Sequence, residues 1–67
     1  MISSKLEQIA LEQSKYAFEL IDILLKIPLK HIGIKTILKF RIMDLLQSAS
    51  ILRQSTDEIK KLGENND

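Results

Sequence analysis

Pro28 constrains this chain more than any other residue. It is the only proline. It lacks an N–H, and its ring disfavours helical geometry at the residue before it, so no helix runs straight through Ile27-Pro28. Residues 4–27 contain neither glycine nor proline, and nothing else interrupts them. Gly33 marks the far side of the corner. The spacing predicts an all-α chain: an antiparallel helical hairpin with a first helix over about residues 4–27 and a second over about 33–62. Residues 63–67, beginning at Gly63, read as a polar C-terminal tail beyond a single domain over 1–62.

Ser4 with Glu7 three residues later fits a capping box at the start of the first helix. The main apolar face of that helix reads Leu6, Ile9, Ala10, Tyr16, Ala17, Leu20, Leu24 and Ile27, the recurrence that stacks side chains on one side. A second line, Leu11, Phe18 and Leu25, repeats every seven residues elsewhere on the surface. Between them run Glu12, Lys15, Glu19, Asp22 and Lys26, with Asp22 and Lys26 in the favourable acid-first i,i+4 order. The second helix presents Ile34, Leu38, Ile42, Leu45, Ala49 and Leu52, alternating steps of four and three, which suits antiparallel packing at a shallow angle. Ile37, Phe40 and Ile51 form its second patch. Ser55 and Glu58 fit another capping box, which allows a break near residue 55; the unbroken apolar period favours continuity or a mild kink.

With 67 residues, two helices bury one narrow stripe, and a chain this small is marginal without staples or partners. It has no cysteine, so disulfides and thiolate metal sites are out. Yet 45% of the residues are hydrophobic, more than a single seam hides. The expectation is a homo-oligomer, or a complex with a helical protein partner: a four-helix bundle of two hairpins, or a larger helical ring. Leu11, Phe18, Leu25, Ile37, Phe40 and Ile51 are the candidate interface residues. No apolar run reaches the ~20 residues that span a bilayer, and the N-terminal residues lack the pattern of a signal peptide. A cytoplasmic protein with no membrane association is the expectation.

Catalytic signals are weak. There is one histidine, and no Gly-rich phosphate loop or Glu-x-x-His metal pair is present. The reading is a non-enzymatic protein with no cofactor and no metal. The charge pattern is more informative: residues 26–41 hold Lys26, Lys30, Lys35, Lys39 and Arg41 without one acid, while the whole chain is only +1. His31 and Lys35 sit where positive charge opposes the dipole of the second helix, a violated preference that points to use. Together with open helix N–H groups, these residues suit phosphate. Lys26, Lys30, His31, Lys35, Lys39 and Arg41 are therefore candidate contacts to RNA or DNA.

The run Ile27-Pro28-x-Lys30-His31-x-Gly33, followed by the leucine-rich Ile42-Met43-Asp44-Leu45-Leu46, resembles two related groups. These are the accessory variability determinants of diversity-generating retroelements and the four-helix proteins encoded in ribosomal RNA intervening sequences. The resemblance covers about residues 16–55. It implies a basic, ring-forming helical accessory that associates with a reverse transcriptase and with nucleic acid, through Lys26, Lys30, His31, Lys35 and Lys39. Those proteins carry four helices per chain, so two hairpins would have to supply here what one chain supplies there. The expected function is thus a nucleic-acid-binding accessory working through its basic corner. The alternative is a protein–protein interaction module (a regulator, inhibitor or assembly subunit) that uses its second apolar face and touches no nucleic acid.

Overall fold

The structure is a computed structural model that describes residues 2–63. It is a hairpin of two long helices, α1 (Ile2–Lys26) and α2 (Ile32–Lys61), joined through a single 3₁₀ turn at Leu29–His31. The Cα envelope measures 52 × 14 × 10 Å, a rod two helices wide. The capping box expected at Ser4 does not start α1, which begins at Ile2 and has no acid in its first turn. Nor does α2 break near residue 55. It runs through Ser55 and Thr56, whose hydroxyls donate to the carbonyls of Ile51 and Leu52 at 3.0 and 2.9 Å. That back-bonding lets a Ser or Thr sit inside a helix without stranding its hydroxyl. Residues 64–67, most of the expected polar tail, lie outside the described residues.

Pro28 ends α1 as its chemistry requires. Its backbone is extended (φ −60°, ψ 148°) and the chain re-enters helical geometry by Ile32. The Ile27 N–H donates to the Leu24 carbonyl and the His31 N–H to the Pro28 carbonyl, at 3.3 and 3.0 Å. Gly33 stands just beyond the corner, where the sequence places it. It lies inside the first turn of α2, with nothing within 4 Å of where a Cβ would stand. Gly63, by contrast, has φ +95°, a conformation that a side chain disfavours. Its N–H donates to the Lys60 carbonyl, and the Leu62 N–H is shared between the carbonyls of Glu58 and Ile59. This left-handed stop closes α2.

The helices meet along two regular seven-residue rows. On α1 the seam is Ser3, Leu6, Ala10, Gln13, Ala17, Leu20 and Leu24, continued by Ile27 just past its end; on α2 it is Lys35, Leu38, Ile42, Leu45, Ala49, Leu52, Thr56 and Ile59. All are buried or half-buried. Steps of three and four throughout keep one stripe of each helix facing the other. Ala10, Ala17 and Ser3 are fully buried and Ala49 is 1% exposed, so small residues recur on both helices and let the backbones come close. Ile9, Tyr16 and Ile34, expected on the main faces, are 45%, 61% and 54% exposed. Polar Ser3, Gln13 and Ser14 take the sheltered places instead. Each apolar residue that moved lies one step around the helix, beside the seam.

Cross-helix contacts fix the register. Lys60 Nζ donates to Glu7 Oε1 at 2.7 Å, and Arg53 Nη2 to Ser14 Oγ at 3.2 Å. Ser14 in turn donates to the Ala10 carbonyl at 3.0 Å. A seven-residue advance along α1 is thus matched by a seven-residue retreat along α2. Ile21 and Leu46 follow next, and Ala17 falls at the level of Ala49 and Ser50. Gln13 Oε1 is buried in the seam with no hydrogen-bond partner among the described residues.

Candidate functional site

Two features could act on another molecule: the basic corner, and the apolar flanks on either side of the seam. At the corner, the structure gives two of the cations local work. Lys35 occupies the last position of the seam, and its Nζ donates to the Ile27 carbonyl at 3.2 Å. Its position at the start of α2 therefore has a structural explanation: it satisfies an orphan carbonyl where α1 ends. Lys26 pairs with Asp22 at 3.1 Å, with both side chains largely exposed, an arrangement worth a few tenths of a kcal/mol at most. Lys30 and His31 are exposed on the 3₁₀ turn, and His31 makes no side-chain cap to α2. Lys39 and Arg41 are also exposed. Two residues apart on a helix, they lie about 200° around its axis from each other. The six bases share one end of the rod without forming one face. Arg41 has no ion-pair partner among the described residues, and Asp44 is not paired with it.

The apolar flanks are more extensive. Leu11, Phe18 and Leu25 are 51%, 65% and 75% exposed and lie on one line of α1. That line adjoins Ser14 and Ile21, so it is on the side of the hairpin where Arg53 and Lys60 reach across. On α2, Leu46 lies seven residues before Arg53, and Met43 sits beside it; both are exposed. At the open end of the same side, a shallow groove is lined by Glu7, Leu11, Arg53, Thr56 and Asp57. The opposite flank carries Ile9, Tyr16 and Ile23 on α1 and Ile34, Arg41, Ser48 and Ser55 on α2, each set spaced by seven. Ile37 and Ile51 edge that second flank, and Phe40 faces outward, away from α1. The six candidate interface residues therefore do not form one surface: Leu11, Phe18 and Leu25 belong to one flank, Ile37 and Ile51 to the other.

Comparison with protein-family models, curated proteins and solved structures gives no match to this chain. The chemistry of the site rests on its own residues. Among the described residues, no group of three His, Asp or Glu side chains could hold a metal ion. Glu12, Lys15, Tyr16 and Glu19 line an open groove on the outer side of α1, where solvent reaches every charge. Among the described residues, no helix is long and apolar enough to cross a membrane.

The grouping of Leu11, Phe18 and Leu25 with Leu46 and Met43 escapes sequence reading, because it depends on which flank of α2 faces which flank of α1. One signal was available. Ser3, Ala10, Ala17 and Leu24 repeat every seven residues, as do Lys35, Ile42, Ala49 and Thr56. Taking those rows as the seam, small and polar members included, places every flank.

Proposed function

We propose that the chain is a non-enzymatic helical-hairpin interaction module whose working form is an assembly, with its exposed flanks covered by other helices and identical copies as the first partners. One observation carries this reading. The folded hairpin keeps 5287 Å² of accessible surface, whereas a compact monomer of 7.7 kDa would keep roughly 4,300 Å². The excess, about 1,000 Å², is close to the ~800 Å² that each partner contributes to a stable interface. Sixteen large apolar side chains among the described residues are exposed, while the fully sheltered apolar residues are mostly alanine. Two hairpins closing into a four-helix bundle is the simplest arrangement that removes one flank from water; a ring of hairpins would use both. A cytoplasmic setting belongs to the same reading. Sedimentation equilibrium of the purified chain tests it. A mass at or above two chains at micromolar concentration supports assembly, and a stable, folded 7.7 kDa particle refutes it.

The second reading assigns the basic end to nucleic acid. It is favoured by Lys30, His31, Lys39 and Arg41, all exposed, in a stretch with no acid. In an assembly the corners would multiply, and phosphate affinity would rise with them. The resemblance to retroelement accessory proteins adds RNA or DNA, and a reverse transcriptase, to the candidate partners. Fluorescence anisotropy with labelled RNA and DNA at 50–300 mM salt tests this reading. It requires binding that weakens steeply with salt and is lost when Lys30 and Lys39 become Glu. It fails if nothing binds at the lowest salt.

A further inference from the structure

We infer that the Leu11–Phe18–Leu25 flank is where a second copy of this chain docks. The two hairpins lie antiparallel, related by a two-fold axis that passes beside Phe18 at right angles to the helices. The inference rests on the assembly reading above and adds the face, the direction and the centre.

A two-fold interface must be complementary to itself, and the apolar line of α1 on this flank reads Leu-Phe-Leu from either end. Rotation about Phe18 sets Phe18 against its own copy and Leu11 against the partner's Leu25. The neighbouring line of α1 carries Lys15 and Asp22, three residues before and four after Phe18. The same rotation sets each Lys15 beside the partner's Asp22, twice per dimer. Asp22 already holds Lys26 at 3.1 Å, so each pair would become a three-charge cluster. On α2, the residue level with Phe18 lies near Ala49, because Glu7 pairs with Lys60 and Ser14 with Arg53. Stacking α2 on its copy then sets Lys39 level with the partner's Ile59 and Leu46 level with its Leu52.

The groove at the open end supplies an independent fit. Its lining includes Leu11, beside Glu7, Arg53, Thr56 and Asp57. The residue delivered over Leu11 is the partner's Leu25, at 75% the most exposed of the three apolar residues on this line. A protruding leucine meets a shallow depression at both ends of the dimer.

The opposite flank does not satisfy the same symmetry. The charges beside Ile9, Tyr16 and Ile23 run Lys5, Glu12, Glu19 and Lys26, again spaced by seven. An antiparallel two-fold through Tyr16 sets Lys5 against Lys26 and Glu12 against Glu19, like against like on both sides, which opposes association. Self-pairing is therefore assigned to the Phe18 flank.

The chain has no cysteine, so single-cysteine variants give an unambiguous test, with helicity checked by circular dichroism. Under mild oxidation, Phe18→Cys is expected to form a covalent dimer with itself. Leu11→Cys mixed with Leu25→Cys is expected to yield a dimer containing one of each, and neither variant alone is expected to do so. Lys15→Glu and Asp22→Lys are each expected to weaken dimerisation by roughly threefold to tenfold, and the double variant to restore it. Cross-linking of Leu11→Cys and Leu25→Cys each with itself, and not with the other, would mean a parallel dimer. Cross-linking through Tyr16→Cys alone would mean the other flank. Either result overturns the inference and leaves the assembly reading standing. A single-chain mass for the unmodified protein at every concentration overturns both.

Discussion

Replacing Ala17 with leucine tests whether the seam is as tight as the pattern of small residues implies. Ala17 is fully buried at mid-length of α1, at the level of Ala49 and Ser50 on α2. Leucine adds three heavy atoms where Ala49, 1% exposed, leaves no slack. Overpacking of this kind costs about 1–3 kcal/mol. A 67-residue domain has a total stability of about 3–10 kcal/mol, so the fraction lost is large. At 4–8 °C per kcal/mol for a domain of this size, the thermal midpoint should fall by roughly 5–20 °C. Circular dichroism at 222 nm, at one fixed protein concentration, reads it. Gln8→Leu is the control, because Gln8 is exposed on the outer side of α1 and the substitution should leave the midpoint nearly unchanged. If Ala17→Leu melts with or above the parent while Gln8→Leu is neutral, the helices are not in close contact at this layer and the seam described here is wrong.

Other substitutions test separate parts of the structure. Gln13→Leu should raise the thermal midpoint, since it removes a buried amide oxygen with no partner, a burden of about 1–3 kcal/mol. The two glycines should respond with opposite signs. Gly33→Ala, in open helical space, should stabilise by about 0.5–1 kcal/mol; Gly63→Ala, at φ +95°, should fray the end of α2, seen as faster amide exchange over residues 58–62. Lys35→Ala should lower the midpoint by several degrees, because the Ile27 carbonyl loses its charged donor; the half-exposed site limits the loss to about 1 kcal/mol. Glu7→Gln should cost under ~1 kcal/mol, because the Lys60 pair is half exposed.

Much of the hairpin was legible because local rules and packing agree at Pro28, at the Asp22–Lys26 pair and along Leu38, Ile42, Leu45 and Leu52. The choice of seam on α1 was harder. Hydrophobicity alone favours Ile9 and Tyr16 over Ser3, Gln13 and Ser14, but close helix packing favours small side chains, and Ser14 gains hydrogen bonds to Arg53 and Ala10. Gly33, read as the far side of the corner, does stand just beyond it, and Pro28 sets the turn. Lys35 looked misplaced only because its acceptor, the Ile27 carbonyl, becomes visible once the chain has turned. Of the candidate site residues, Leu11, Phe18 and Leu25 form a coherent surface. Lys39 and Arg41 are separated by the geometry of their own helix.

The dependence of the melting temperature on protein concentration tests the central claim most directly. If the exposed flanks are covered by a second copy, folding and association are linked, and a hundredfold rise in concentration adds about 2.7 kcal/mol per dimer. Spread over the unfolding entropy of two 67-residue chains, that is a rise of roughly 10 °C. A midpoint that stays constant over that range, for a chain that is fully helical, would mean that one hairpin is stable with its flanks in water, and would contradict the account.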